Sequence, residues 1–244
     1  MATSLSHYWR IARAPRYSLT FALPLLVAYE VLAFSLSHNE VTGVRNGADV
    51  LLKSMFLALG GRSGLVVFGA LLVGGGAWLV WQDYRRTHSL DPGVFGLMAV
   101  ESLCYAFAFG MVASMLTGLL LPGLVTPLSL GSAGSWSLPT QLMISLGAGI
   151  YEELLFRVIL VSGLAWTARR VFGWSTTTAG LFAVAVGALI FSAFHYIGPY
   201  GDRFELGSFA FRAVAGVLFS GLYLLRGFGI TAWTHALYDV FLAL

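Results

Sequence analysis

Seven mostly apolar stretches follow one another along this chain, at about residues 17–36, 63–81, 94–121, 139–165, 174–197, 206–225 and 228–243. A helix crossing a ~30 Å hydrocarbon layer needs about 20 such residues. The pattern therefore predicts an all-α, polytopic membrane bundle of about seven transmembrane helices, with six to eight as the range. Composition agrees. Fourteen basic and eleven acidic residues, 25 among 244, are few, since a soluble chain of this length carries roughly 60. This excludes a disordered chain, a soluble enzyme with a solvated surface, and a nucleic-acid partner, because a net charge of +3 leaves no basic tract. The lipid bilayer is the expected partner. One cysteine, Cys104, excludes an intrachain disulfide.

Residues 17–36 follow Arg10, Arg13 and Arg16 as a signal peptide would, but the apolar run is long and lacks a small-x-small cleavage site, so it reads as a span. Residues 48–59 are too short to cross. Asp49 and Lys53 share one face there among apolar residues, which predicts an interfacial helix. The uncharged, Gly/Pro/Ser-rich segment 121–139 reads as a loop. No internal repeat or long linker appears, so residues 1–244 read as a single membrane domain. Eight arginines flank the spans on one side (Arg10, Arg13, Arg16, Arg85, Arg86, Arg169, Arg170, Arg226). Four cations flank the other (Arg45, Lys53, Arg62, Arg203). The excess predicts a cytoplasmic N-terminus.

Some charges lie too deep for loops: Glu30, Glu101, Glu152, Glu153, Arg157, Arg212 and Asp239, joined by His195 and His235. A charge at mid-bilayer costs a few kcal/mol even on lenient scales, so each is a functional candidate. Glu153 and Arg157 stand at i,i+4 with the acid first, the favourable order for a helical pair. Glu152 points about 100° away on an α-helix and lacks that partner. One carboxylate is thus clamped and the other left for acid–base work. His235 and Asp239 are also at i,i+4, where a carboxylate can orient an imidazole. Alone, each histidine reads equally as an interfacial or interhelical hydrogen-bonding residue. Together they suit either of two chemistries: water activated by a carboxylate base beside imidazoles, or a catalytic Zn2+ held by Glu152, His195 and His235. His195 lies near the end of its stretch and Glu152 in the middle of its own, so a shared site requires an extended, tilted or broken helix. Glu30 is expected to pair with Arg212, and Glu101 to reach toward the interface.

The sequence YEELLFR, from Tyr151 to Arg157, resembles the EExxxR motif of the CAAX-protease and bacteriocin-processing (Abi-like) intramembrane protease family. Phe191 with His195 resembles its FxxxH motif, and His235 with Asp239 its HxxxN or HxxxD motif, in the family's order. The resemblance covers residues 139–244 as a catalytic core; residues 1–138 carry no matching motif. It implies a multi-pass integral-membrane endopeptidase, in the inner membrane if bacterial, acting on a membrane-associated protein or peptide. Glu152 is then the base, Glu153 and Arg157 a supporting pair, and His195 and His235 the lining. Asp239 replaces the asparagine of the prenyl-protein branch and donates no hydrogen bond unless protonated. The resemblance also admits a non-catalytic scaffold or immunity-type protein. An ion-coupled transporter is disfavoured because paired repeats are missing.

Overall fold

Proline, glycine and short polar residues set the helix limits. The computed structural model describes residues 5–36, 44–122, 136–198 and 201–244. Helix α1 (Leu5–Ile11) precedes α2 (Pro15–Leu36), whose first residue is a proline, the residue that loses nothing by lacking an N–H there. The stretch Gly47–Thr87 comprises α3 (Gly47–Gly69), a π-helical turn (Ala70–Gly75) and α4 (Gly76–Thr87). Next is α5 (Pro92–Leu120), opened by Pro92 and capped by the Asp91 carboxylate on Gly93 N–H at 2.9 Å. A long helix follows over 138–171: α6 (Leu138–Gly147), a π-helical segment (Ala148–Val161) and α7 (Ser162–Val171). Three more complete the chain: α8 (Thr176–Phe194), α9 (Leu206–Arg226) and α10 (Phe228–Ala243). Among the described residues there is no strand. The predicted loop at 121–139 lies largely outside them.

Five stretches are long and apolar enough to cross a membrane: Pro15–Leu36, Gly47–Thr87, Pro92–Leu120, Thr176–Phe194 and Leu206–Arg226. The other two expected spans hold five of the six candidate site residues, Glu152, Glu153, Arg157, His235 and Asp239. The helix over 138–171 holds three charged residues in its π segment, and α10 has 16 residues. Helix α5 shows how a bilayer sorts side chains. Val100, Leu103, Phe107, Met111 and Met115 form an exposed apolar stripe. The opposite stripe, Met98, Ser102, Ala106, Phe109, Ala113 and Thr117, is buried and contains small residues that let helices approach closely.

Helix α3 doubles back at Gly60–Gly61, where Gly61 has φ 57° and ψ −143°. That left-handed backbone favours glycine. The rings of Phe56 and Phe68 consequently lie 5.2 Å apart, whereas twelve residues of straight helix would separate them by about 18 Å. The break falls between the expected 48–59 helix and the second span. The Asp49–Lys53 edge, however, is turned into the bundle. Asp49 is fully buried, 2.7 Å from Lys53 and 2.8 Å from Arg45, while Val50, Leu51 and Met55 face outward.

Candidate active site

The segment 148–161 is π-helical, and Ser162 N–H donates to the Arg157 carbonyl five residues back. Such backbone is rare beyond a single turn and recurs at functional sites. Two glycines let neighbours come close to it. A Cβ on Gly149 would sit 2.4 Å from the Ala232 carbonyl of α10, and one on Gly147 2.7 Å from the Asn46 Cβ. These approaches bring α10 and the start of α3 against the two glutamates.

Glu153 is fully buried. Its Oε2 lies 3.2 Å from Arg157 Nε, and His235 Nδ1 donates to its Oε1 at 2.7 Å. The Arg157 guanidinium makes no hydrogen bond among the described residues. It sits instead over Phe191, 4.4 Å from the ring centre, and 5.4 Å from that of Phe219. Cation–π contacts of this kind contribute ~0.5–2 kcal/mol each, so the ion pair and two ring faces together offset the desolvation of the cation. Phe219 also stacks on His235, with ring centres 4.2 Å apart, so the imidazole is held both in its plane and on its face.

Glu152 has a different environment. Asn46 Nδ2 donates to its Oε1 at 2.8 Å. Its Oε2 is buried and makes no hydrogen bond among the described residues. That oxygen lies 4.0 Å from His195 Nε2 and 4.0 Å from His235 Nε2. His195 Nδ1 is 2.9 Å from the Phe191 carbonyl, which can only accept, so Nδ1 carries the hydrogen. The same holds for His235 Nδ1 against the Glu153 carboxylate. In their neutral forms both Nε2 atoms therefore present lone pairs to a carboxylate oxygen. Three acceptors facing one another call for a proton donor between them, and separations of 4.0 Å suit a bridging water.

Asp239 Oδ2 lies 3.6 Å from His235 Nε2. It adjoins the reactive side of the ring rather than the nitrogen that fixes the tautomer. The expected orienting role of Asp239 thus falls to Glu153, a residue from another helix.

Residues 134–241 match the family described as type II CAAX prenyl endopeptidase Rce1-like. This part of the chain belongs to that protease family. No curated protein and no solved structure matches the chain. All seven motif residues lie within the matched segment. Membership together with the five apolar helices makes the chain an integral membrane protein with a protein substrate.

How the Rce1-like segment brings His195 to Glu152 resolves the expected mismatch of depth. Helix α8 ends at Phe194, unextended and unbroken at Gly187. It runs antiparallel to the π segment: Phe156 packs edge-on against Phe191 at 5.1 Å, and Gly187 lies against Val161. One π turn before Phe156 is Glu152, level with the last turn of α8. The long helix simply continues past that end as α6.

Outside the Rce1-like segment, sequence reasoning missed Asn46, whose only sign is the Asn-Gly pair before a helix. It also misassigned three charges. Glu30 is paired with Lys53 at 3.0 Å and Arg45 at 3.4 Å, not with Arg212. Arg212 is paired with Asp202. Glu101 does not reach for the interface: it takes Arg226 at 2.5 Å and accepts from Tyr8. Burial, and then the Glu101 carboxylate, push the Tyr8 phenol up, which keeps it a donor.

A zinc ion was one expectation for Glu152, His195 and His235. Among the described residues no three His, Cys, Asp or Glu side chains are grouped to hold a metal ion. The two 4.0 Å separations are also wide, since ligands about 2.1 Å from a tetrahedral zinc stand about 3.4 Å apart. As arranged, these donors are set wider than the ligands of a tetrahedral zinc.

Proposed function

We propose that the chain is a glutamate-type intramembrane endopeptidase of the CAAX-processing kind. What carries this reading is Glu152 Oε2, a buried carboxylate oxygen without a hydrogen bond among the described residues, 4.0 Å from the Nε2 atoms of two histidines on two other elements. A water held there gives one proton to Glu152 while its oxygen adds to the substrate carbonyl carbon. His195 Nε2 accepts the water's second hydrogen and aims the oxygen. When the tetrahedral adduct collapses, the C–N bond breaks and Glu152 returns its proton to the leaving amine. His235, fixed by Glu153, lines the opposite wall, with Asp239 3.6 Å from its Nε2. The substrate is a membrane-associated protein or peptide. The cationic excess at the flanks supports a cytoplasmic N-terminus.

The test is cleavage of a membrane-anchored peptide by purified protein in lipid. Removing a positioned acid–base group costs about 10²–10⁴-fold, so Glu152→Gln and Glu152→Ala should both lose at least a hundredfold in kcat. Wild-type cleavage by either variant overturns the mechanism.

A further inference from the structure

The base of the proposed site is held by a residue outside the family-matched segment. Asn46 is buried and precedes α3. Its amide makes two hydrogen bonds of opposite sense. The oxygen accepts from Ala48 N–H at 2.9 Å, capping the helix, and the nitrogen donates to Glu152 Oε1 at 2.8 Å. The cap fixes which way the amide faces, so the nitrogen is the end presented to the carboxylate.

The backbone around Asn46 is tied down from three sides. Its own N–H donates to the Tyr29 hydroxyl at 3.3 Å, and Tyr29 donates in turn to Asp49 at 2.7 Å. Arg45, the preceding residue, bridges Asp49 and Glu30. Tyr151, which precedes Glu152, donates its hydroxyl to the same Glu30. Gly47, the next residue, leaves no slack, since a Cβ there would stand 3.2 Å from the Phe194 ring beside His195. A partly buried charged network thus locates both Asn46 and the turn that bears Glu152.

We infer that Asn46 is a positioning residue for the hydrolysis: by donating to Glu152 Oε1 it holds the carboxylate so that Oε2 alone faces the two histidines. This rests on the reading of Glu152 as the base. The chemistry follows from the carboxylate's two oxygens. With Oε1 occupied by a fixed donor, rotation about the carboxyl bond is blocked, and the free lone pairs of Oε2 stay on the side of His195 and His235. Without that donor the group swings between rotamers, and proton transfer loses its geometry while substrate contacts are untouched.

Full-length protein in proteoliposomes, with a membrane-anchored peptide as substrate, gives the test. Asn46→Ser and Asn46→Asp keep a capping oxygen, and serine and aspartate cap as well as asparagine. Neither offers the amide donor. Asn46→Ser should unfold near the wild-type temperature and keep KM, while kcat per folded molecule falls about 10- to 100-fold, the range of a hydrogen bond to a charged group; Asn46→Asp, which sets a second carboxyl group against the buried Glu152, should lose at least as much kcat and melt lower. Asn46→Ala should lose kcat equally and also melt lower. Serine and aspartate variants within twofold of wild-type kcat show a helix cap and nothing more, and overturn the inference. So does a loss of rate that only tracks a loss of folded protein. Glu152→Gln serves as the control. If it is inactive while Asn46→Ser is fully active, the positioning role fails alone; if it is active, the base assignment has failed first.

Discussion

His235 Nδ1 lies 2.7 Å from Glu153 Oε1, and the two residues, 82 positions apart, come from different helices. This bond turns a pair of adjacent glutamates into two different tools. Glu153 is spent on holding Arg157 and His235, and Glu152 is left with one oxygen free.

Breaking the clamp should be costly. Arg157→Met leaves the fully buried Glu153 carboxylate facing only His235. Removing one partner of a buried ion pair destabilises by about 3–5 kcal/mol. The double variant Glu153→Leu/Arg157→Met should regain much of the stability and none of the cleavage. Thermal unfolding in detergent beside an activity assay separates the two effects, and equal melting of both variants contradicts the clamp.

Asp239 sits 3.6 Å from His235 Nε2. Asp239→Asn replaces an acceptor that must borrow a proton with a permanent donor. Cleavage should persist within about tenfold, and one ionisation should vanish from the pH–rate profile. An unchanged profile places Asp239 outside the reaction.

Sequence spacing made much of the site readable and left its assembly out of reach. Glu153 with Arg157, and His235 with Asp239, stand at i,i+4, so helical neighbours could be read directly. The spans at 17–36, 206–225 and 228–243 end within two residues of α2, α9 and α10, because Pro15, Gly227 and long uncharged runs mark the limits. Partners from distant elements left no such mark. Arg226 meets Glu101 across 125 residues and Asn46 meets Glu152 across 106. The π-helical backbone was equally hidden, since apolar periodicity does not distinguish a wide turn from an ordinary one.

The approach of α10 predicts a sharp response at Gly149. A Cβ there would stand 2.4 Å from the Ala232 carbonyl and 2.7 Å from the Ala236 Cβ. Gly149→Ala should cost about 1–3 kcal/mol as overpacking. It should also lower kcat about 10²-fold, because a shift of about 1 Å at the chemistry is enough for that. A Cβ on Gly163 would meet nothing within 4 Å, so Gly163→Ala is the silent control in the same assay.

Chelation should leave the enzyme working. The donors around Glu152 are spread wider than tetrahedral zinc accepts. Treatment with a strong chelator, followed by metal analysis of the protein, should remove any bound zinc without loss of cleavage. A loss restored by added Zn2+ requires the three side chains to close up around the ion.

The contacts of α10 set an order of assembly during synthesis. Gly229 N–H donates to Ser18 Oγ at 2.8 Å and Trp233 Nε1 to the Phe21 carbonyl at 2.6 Å, across 211 and 212 residues. Helix α2 therefore leaves the ribosome long before the helix that covers it exists. His235 arrives on α10, so a nascent chain that stops short of that helix holds Glu152 and His195 without the imidazole that faces them.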